Sequence, residues 1–201
     1  MANEFDNTKG FSRLPQNPEF IDDMKKYLRK TLKYAMISVP IIYIVVLIIT
    51  AIVSAKKDGL DMRTFIPVAI VLLAIFVIIG ICVCISSLRN IGKLKLDSVD
   101  GTVIKKKKWS TYEREGRTRK TKYLITIETE DGKKVKVKDA KAAAVFEHVE
   151  EGEKVRFHPG YPFPVELFDK SRNGVNVCAF CGAANDLNAK TCTRCKNLML
   201  I

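Results

Sequence analysis

The sequence predicts a membrane α-helical hairpin followed by a small all-β domain and a metal-binding tail, and three observations carry that prediction. Two apolar runs, residues 34–55 and 65–88, hold no charged residue and are separated by only nine positions. From residue 98 onward apolar and polar residues alternate in short runs bounded by Gly, Pro and Asp, the period of half-buried strands. Cys178, Cys181, Cys192 and Cys195 then form two Cys-x-x-Cys pairs separated by ten residues.

The apolar runs set the location. At the helical rise per residue, 22 and 24 residues extend roughly 33 to 36 Å, against a hydrocarbon core of about 30 Å. Both runs are too long, and the first begins too far into the chain, for a cleavable signal peptide. Lys25, Lys26, Arg29, Lys30 and Lys33 precede the first span, and Arg89, Lys93 and Lys95 follow the second. The turn at 56–64 has only Lys56, Lys57 and Arg63, so the positive-inside bias expects a two-span cell-membrane protein with both termini cytoplasmic. Neither span carries an acid, a base, a His or an Asn, and no ion path or proton relay is indicated. Pro40 is expected to kink the first span or end a subsegment. Gly80 with Cys84, and Ala51 with Ala55, are small-xxx-small pairs that would allow close helix approach.

The flanking segments differ in kind. Residues 1–17 are polar without an apolar period and are expected to be disordered. Asn17-Pro18-Glu19 then has the form of a helix start, with a capping Asn, Pro at the first helical position and an acid in the first turn. Over residues 18–33 a helix would carry Phe20, Ile21, Met24, Tyr27, Leu28 and Leu32 on one arc and the five basic residues on the other. Two readings stand: an interfacial helix with its basic face on anionic headgroups, or a helix packing its apolar arc on the soluble domain.

Of the 34 Lys+Arg and 22 Asp+Glu that give the chain its net charge of +12, residues 89–170 hold 20 and 14, a segment large enough for one small core. Strands are expected at 99–112, 123–128 and 135–137, with Asp131-Gly132 as a hairpin turn. Asp139 can cap a short helix in which Ala142, Val145, Phe146 and Val149 share a face. Two further strands lie at 155–157 and 165–168, separated by the turn residues Pro159-Gly160. This order, with the helix between the third and fourth strands, resembles an OB-fold, a partly open barrel of five strands, over residues 98–169. An SH3-like barrel with an inserted helix is the alternative. A membrane hairpin followed by a cytosolic OB-like barrel resembles the NfeD family of membrane proteins, and that resemblance implies scaffolding of other membrane proteins.

The cysteines carry the chemistry. A Cys-x-x-Cys turn delivers two sulfurs to one ion, and two such turns complete the four-thiolate tetrahedron that zinc prefers. Within a zinc-ribbon domain expected at 175–201, the segment Cys178 to Cys195 resembles the short zinc ribbons at the ends of many bacterial membrane and regulatory proteins, with Lys196 where a Gly often follows the last Cys. Disulfides would need an oxidising compartment, and a redox dithiol would need only one pair. The expectation is one structural zinc held by Cys178, Cys181, Cys192 and Cys195, with no coordination position open to substrate.

A basic hairpin is the second candidate site. Lys105, Lys106, Lys107, Lys108, Arg117, Arg119, Lys120 and Lys122 surround Trp109. Positives with an aromatic can hold nucleic acid through phosphates and stacking, can dock on anionic lipid, or can simply be a solvated hairpin. His148 and His158 read as surface or edge residues, and Ser110, Ser171 and the scattered acids form no nucleophile or paired-carboxylate pattern. The expected function is therefore a membrane-anchored cytosolic adaptor with a protein partner, without catalytic activity and with no small-molecule substrate indicated. The alternative is a membrane-tethered nucleic-acid-binding protein.

Overall fold

The computed structural model describes residues 9–58, 62–112, 119–171 and 174–201, and for residues 56–58, 62, 64, 112 and 119 it describes the backbone alone. The elements are α1 (Pro18–Asp58), α2 (Met62–Lys93), β1 (Val99–Tyr112), β2 (Arg119–Thr129), β3 (Lys134–Lys138), α3 (Asp139–Phe146), β4 (Lys154–Phe157), β5 (Val165–Leu167), β6 (Val175–Val177) and β7 (Ala184–Asp186). They form two compact units. One runs from Lys25 to Ile91, and the other joins the segment ending at Met24 to Gly92–Ile201.

In the helical unit, α1 and α2 are each long and apolar enough to cross a membrane, and the most apolar window of each has no residue buried within the structure. Side chains such as Ile41, Ile48, Ile70 and Ile78 are more than half exposed, which is unfavourable in water and ordinary in hydrocarbon. The amphipathic segment and the first span are one uninterrupted helix, and it runs through Pro40 without ending there. The two helices meet where Tyr43 donates its hydroxyl to the Ala69 carbonyl at 3.3 Å and its ring contacts Phe76 at 5.5 Å. Close approach at Gly80 is not seen. A Cβ there would meet nothing within 4 Å, because Gly80 lines a cleft of about 340 Å³ with Ala35, Val39 and Cys84.

In the second unit, residues 9–17 are ordered, contrary to the expectation of disorder; residues 1–8 lie outside the described residues. Lys9 bridges to Asp169, the Gly10 N–H donates to the Phe168 carbonyl at 2.8 Å, and Phe11 sits edge-on to Phe168 and under the Arg156 guanidinium. A polar composition hid this because the segment adds to an existing edge rather than burying a stripe of its own. Asn17 caps α1 by accepting the Glu19 N–H at 2.8 Å, and Phe20 and Met24 in its first two turns are fully buried. This start of α1 packs Phe20 and Met24 into the domain.

The five main strands form one antiparallel sheet in the order β3-β2-β1-β4-β5. It is open: among the described residues no pairing joins β3 to β5, so a closed barrel is not formed. Gly101 lets β1 run between two neighbours, since a Cβ there would come 2.5 Å from the Glu128 carbonyl oxygen. A register shift after Val103 leaves Ile104 unpaired and exposed. Val103, Ile125, Ile127, Val137, Val155 and Leu167 bury one sheet face against Ala142, Val145 and Phe146 of α3 and Val149 beyond it. Asp139 does not cap this helix: it is the first helical residue, at φ +52°, and no side-chain capping bond forms.

Candidate metal centre and basic face

The cysteine module is built from two copies of one turn. In each, the residue after the second Cys turns left-handed, Gly182 at φ +70° and Lys196 at φ +61°. In each, that residue donates its N–H to the first Cys carbonyl, at 2.8 Å for Gly182 to Cys178 and 2.9 Å for Lys196 to Cys192. The first Cys in turn donates its N–H five residues ahead, Cys178 to Ala183 at 2.9 Å and Cys192 to Asn197 at 2.8 Å. The hairpin of β6 and β7 encloses the first turn.

This repetition brings all four sulfurs within 4.8 Å of one another. Cys178 to Cys195 and Cys181 to Cys192 are each 3.6 Å. A tetrahedral ion with metal–sulfur bonds of about 2.3 Å separates its ligand sulfurs by about 3.8 Å. A disulfide needs about 2.05 Å, and all four thiols are free. The cluster is thus able to bind a metal ion.

The surroundings favour thiolate at one corner. Burial pushes the Cys178 and Cys181 thiols up. Burial opposes ionisation of Cys192 as well, but the N–H groups of Cys195 and Arg194 and contacts from Cys181 and Asn185 bring it down to about 6. Asn185 is the support that the sequence did not reveal. Its amide donates to the Ala183 carbonyl at 2.8 Å and to Cys192 Sγ at 3.5 Å, while its oxygen accepts from the Thr193 N–H and hydroxyl at 2.8 and 2.9 Å. Partners outside the ligand set hold ligands in place, so Asn185→Ala is expected to weaken metal binding by about 10- to 100-fold, read by competition with a chromophoric chelator. Lys196→Gly removes the left-handed strain of a side-chain-bearing residue and is expected to stabilise the module by about 1 kcal/mol or less, read as a higher melting temperature.

The module is fixed to its neighbours. Phe163 donates its N–H to the Ala179 carbonyl at 3.1 Å, and a Cβ on Gly182 would enter the Phe163 ring. Phe180, between the first two cysteines, is edge-on to Phe20 of α1 at 5.4 Å.

The basic hairpin is divided by its own register. Lys106 turns toward the core side, where its ammonium bonds the Val149 carbonyl, pairs with Glu150 at 3.4 Å and lies over the Phe146 ring. Lys108 does likewise with Glu147 at 3.0 Å and the Tyr123 ring, and Glu147 raises its pKa. Lys105, Lys107 and Trp109 point to the other face, where their cross-strand partners include Lys122, and Lys120 follows opposite Thr111. Arg117 lies outside the described residues, as does the side chain of Arg119.

A third cluster has no signature in the sequence. His158, read as a surface or edge residue, has a side chain only 1% exposed. The hairpin of β4 and β5, closed by the His158 N–H on the Pro164 carbonyl at 2.7 Å, brings its Nε2 within 3.0 Å of Glu166 Oε2. Ser98 Oγ meets the other ring nitrogen at 2.6 Å, and Tyr161 stacks on the ring at 4.9 Å. Glu166 Oε1 accepts from Lys170 Nζ at 3.1 Å and from the Ser12 N–H at 2.7 Å, and Lys170 also reaches the Gly10 carbonyl at 3.3 Å. Burial would raise the Glu166 pKa, but His158, Lys170 and Ser12 together hold it below the usual glutamate value. The order serine, histidine, carboxylate is that of a catalytic triad; here the carboxylate also accepts from Lys170 and Ser12, and the cluster ties residues 10–12 to β5. Residues as far apart as Ser12, Ser98 and Glu166 meet only through tertiary structure.

No known protein family matches the chain, and no characterised protein or solved structure is similar to it, so the resemblance to NfeD proteins has no support.

Proposed function

We propose that the protein is a two-span membrane anchor that holds an OB-like domain and a zinc ribbon on the cytoplasmic side as an adaptor for a protein partner, with no catalytic activity of its own. One observation carries this reading: the cysteine module is part of the domain's core packing and of the first turns of α1. Val177 belongs to the same buried cluster as β1 to β5, and Phe180 rests on Phe20. Four cysteine ligands leave no position for substrate, so a zinc ion there would act as a structural fastener. Helix order and the open five-stranded sheet are compatible with a partly open OB-like barrel. The positive flanks of the two apolar helices support cytoplasmic termini.

The test is crosslinking and co-purification from native membranes. The wild-type chain is expected to capture a specific protein that Cys178→Ser/Cys181→Ser loses. A second reading, a membrane-tethered nucleic-acid binder, draws on exposed Trp109 among lysines. Co-purification of single-stranded nucleic acid with a steep salt dependence would favour it over the adaptor.

A further inference from the structure

We infer that the outer face of β1, β2 and β3 is a docking surface for an anionic lipid leaflet. This rests on the membrane-anchored reading above and assigns a ligand to one face of the domain. Directly paired residues of adjacent strands project from the same side of a sheet. The pairs Lys107 with Leu124, Trp109 with Lys122, Leu124 with Lys138 and Thr126 with Lys136 therefore lie on one face, opposite the core residues Ile125, Ile127 and Val137.

That face carries Lys105 and Lys107 from β1, Lys120 and Lys122 from β2, and Lys136 and Lys138 from β3. None of these six forms an ion pair among the described residues. The acids on this side of the three strands are already taken, Asp100 by Arg156 and Glu128 by Lys134 at 3.8 Å. By contrast, the lysines on the core side, Lys106 and Lys108, are matched by Glu150 and Glu147. The sequence shows four consecutive lysines as one patch; the structure neutralises two of them and replaces them with lysines from β3. An unmatched positive face of this size wants an extended negative surface.

Three features select lipid over nucleic acid. Among the described side chains these six basic residues of the face are all lysine, compact point charges suited to a diffuse anionic surface. Trp109, 43% exposed on the same face, is the side chain most at home at the headgroup level. Only residues 94–98 connect α2 to β1, so the tether between the apolar helix and the sheet is at most about 18 Å of extended chain.

Trp109 is the only tryptophan in the chain and reports on its own surroundings. The test uses the full chain reconstituted in phosphatidylcholine vesicles with and without phosphatidylglycerol. With phosphatidylglycerol, Trp109 emission is expected to shift to the blue, gain protection from acrylamide and be quenched by brominated lipid, and high salt should reverse all three. Each neutralised lysine should weaken the response about fivefold, so Lys107→Gln/Lys122→Gln/Lys136→Gln should weaken it about a hundredfold. Lys108→Gln, the same charge lost from the opposite face, should leave it unchanged. Emission indifferent to anionic lipid overturns the proposal, as does an equal loss in Lys108→Gln. So does an equal response to single-stranded DNA added to neutral vesicles. Failure of the protein to float with neutral vesicles would instead overturn the membrane anchor itself.

Discussion

On the proposed structural-zinc reading, withdrawing the metal with a chelator, or removing half of the cysteine cluster by Cys178→Ser/Cys181→Ser, is expected to unfold residues 175–201 and loosen the start of α1. Structural zinc supplies about 10–16 kcal/mol of folding free energy to modules of this size. The strands β6 and β7 have three residues each, and beyond the turn bonds the cysteine segments are held only by a few contacts such as Phe180 on Phe20 and Asn185 on Thr193, too little to replace the ion. The effect should spread to Phe20, because the rings of Phe180 and Tyr161 both lie against it. Hydrogen exchange at residues 18–24 and 175–200, followed with metal content, measures both. Full protection of the cysteine module in metal-free protein would show that packing, not the ion, holds it.

Breaking the buried pair is the second large effect. Lys170→Met leaves the Glu166 carboxylate buried beside His158 without its ammonium partner, and losses of this kind cost about 3–5 kcal/mol. Replacing both members by Glu166→Gln/Lys170→Met should cost less than the sum of the single changes, which a double-mutant cycle in thermal unfolding reads directly. The pH dependence follows from the lowered pKa of Glu166. A carboxyl held below its unfolded value contributes its full stability above about pH 4.3 and loses it as pH falls through the folded value. Wild-type protein should therefore lose stability below about pH 4, and Glu166→Gln should flatten that part of the profile. An unchanged acid profile in Glu166→Gln would remove the cluster from the stability of the domain.

Much of this is legible in the sequence. Uncharged runs of 22 and 24 residues predict membrane-crossing helices because hydrocarbon tolerates nothing else over that length. The alternation in residues 98–169 predicts the strands because the side-chain period of a half-buried strand is two, and the observed elements follow the expected order. The four cysteines were legible because their ligand geometry is written into local spacing. Each Cys-x-x-Cys turn positions two sulfurs by itself, and the structure brings the two turns together.

Other features depended on separations that no local pattern records. The ordering of residues 9–17 depends on an edge at Phe168 and Asp169 that is far away in sequence. His158, Glu166, Lys170 and Ser12 become a cluster only when the β4 and β5 hairpin lies beside the start of the chain. Sequence alone determined the two helices long and apolar enough to cross a membrane, the succession of strands and helix along the chain, and the four cysteines able to hold a metal ion, since each follows from spacing within one segment. Only the tertiary structure decided that the sheet stays open and which lysines share a face. Strand register, shifted once after Val103, sends alternate residues to opposite sides, and that sorting separates matched lysines from unmatched ones.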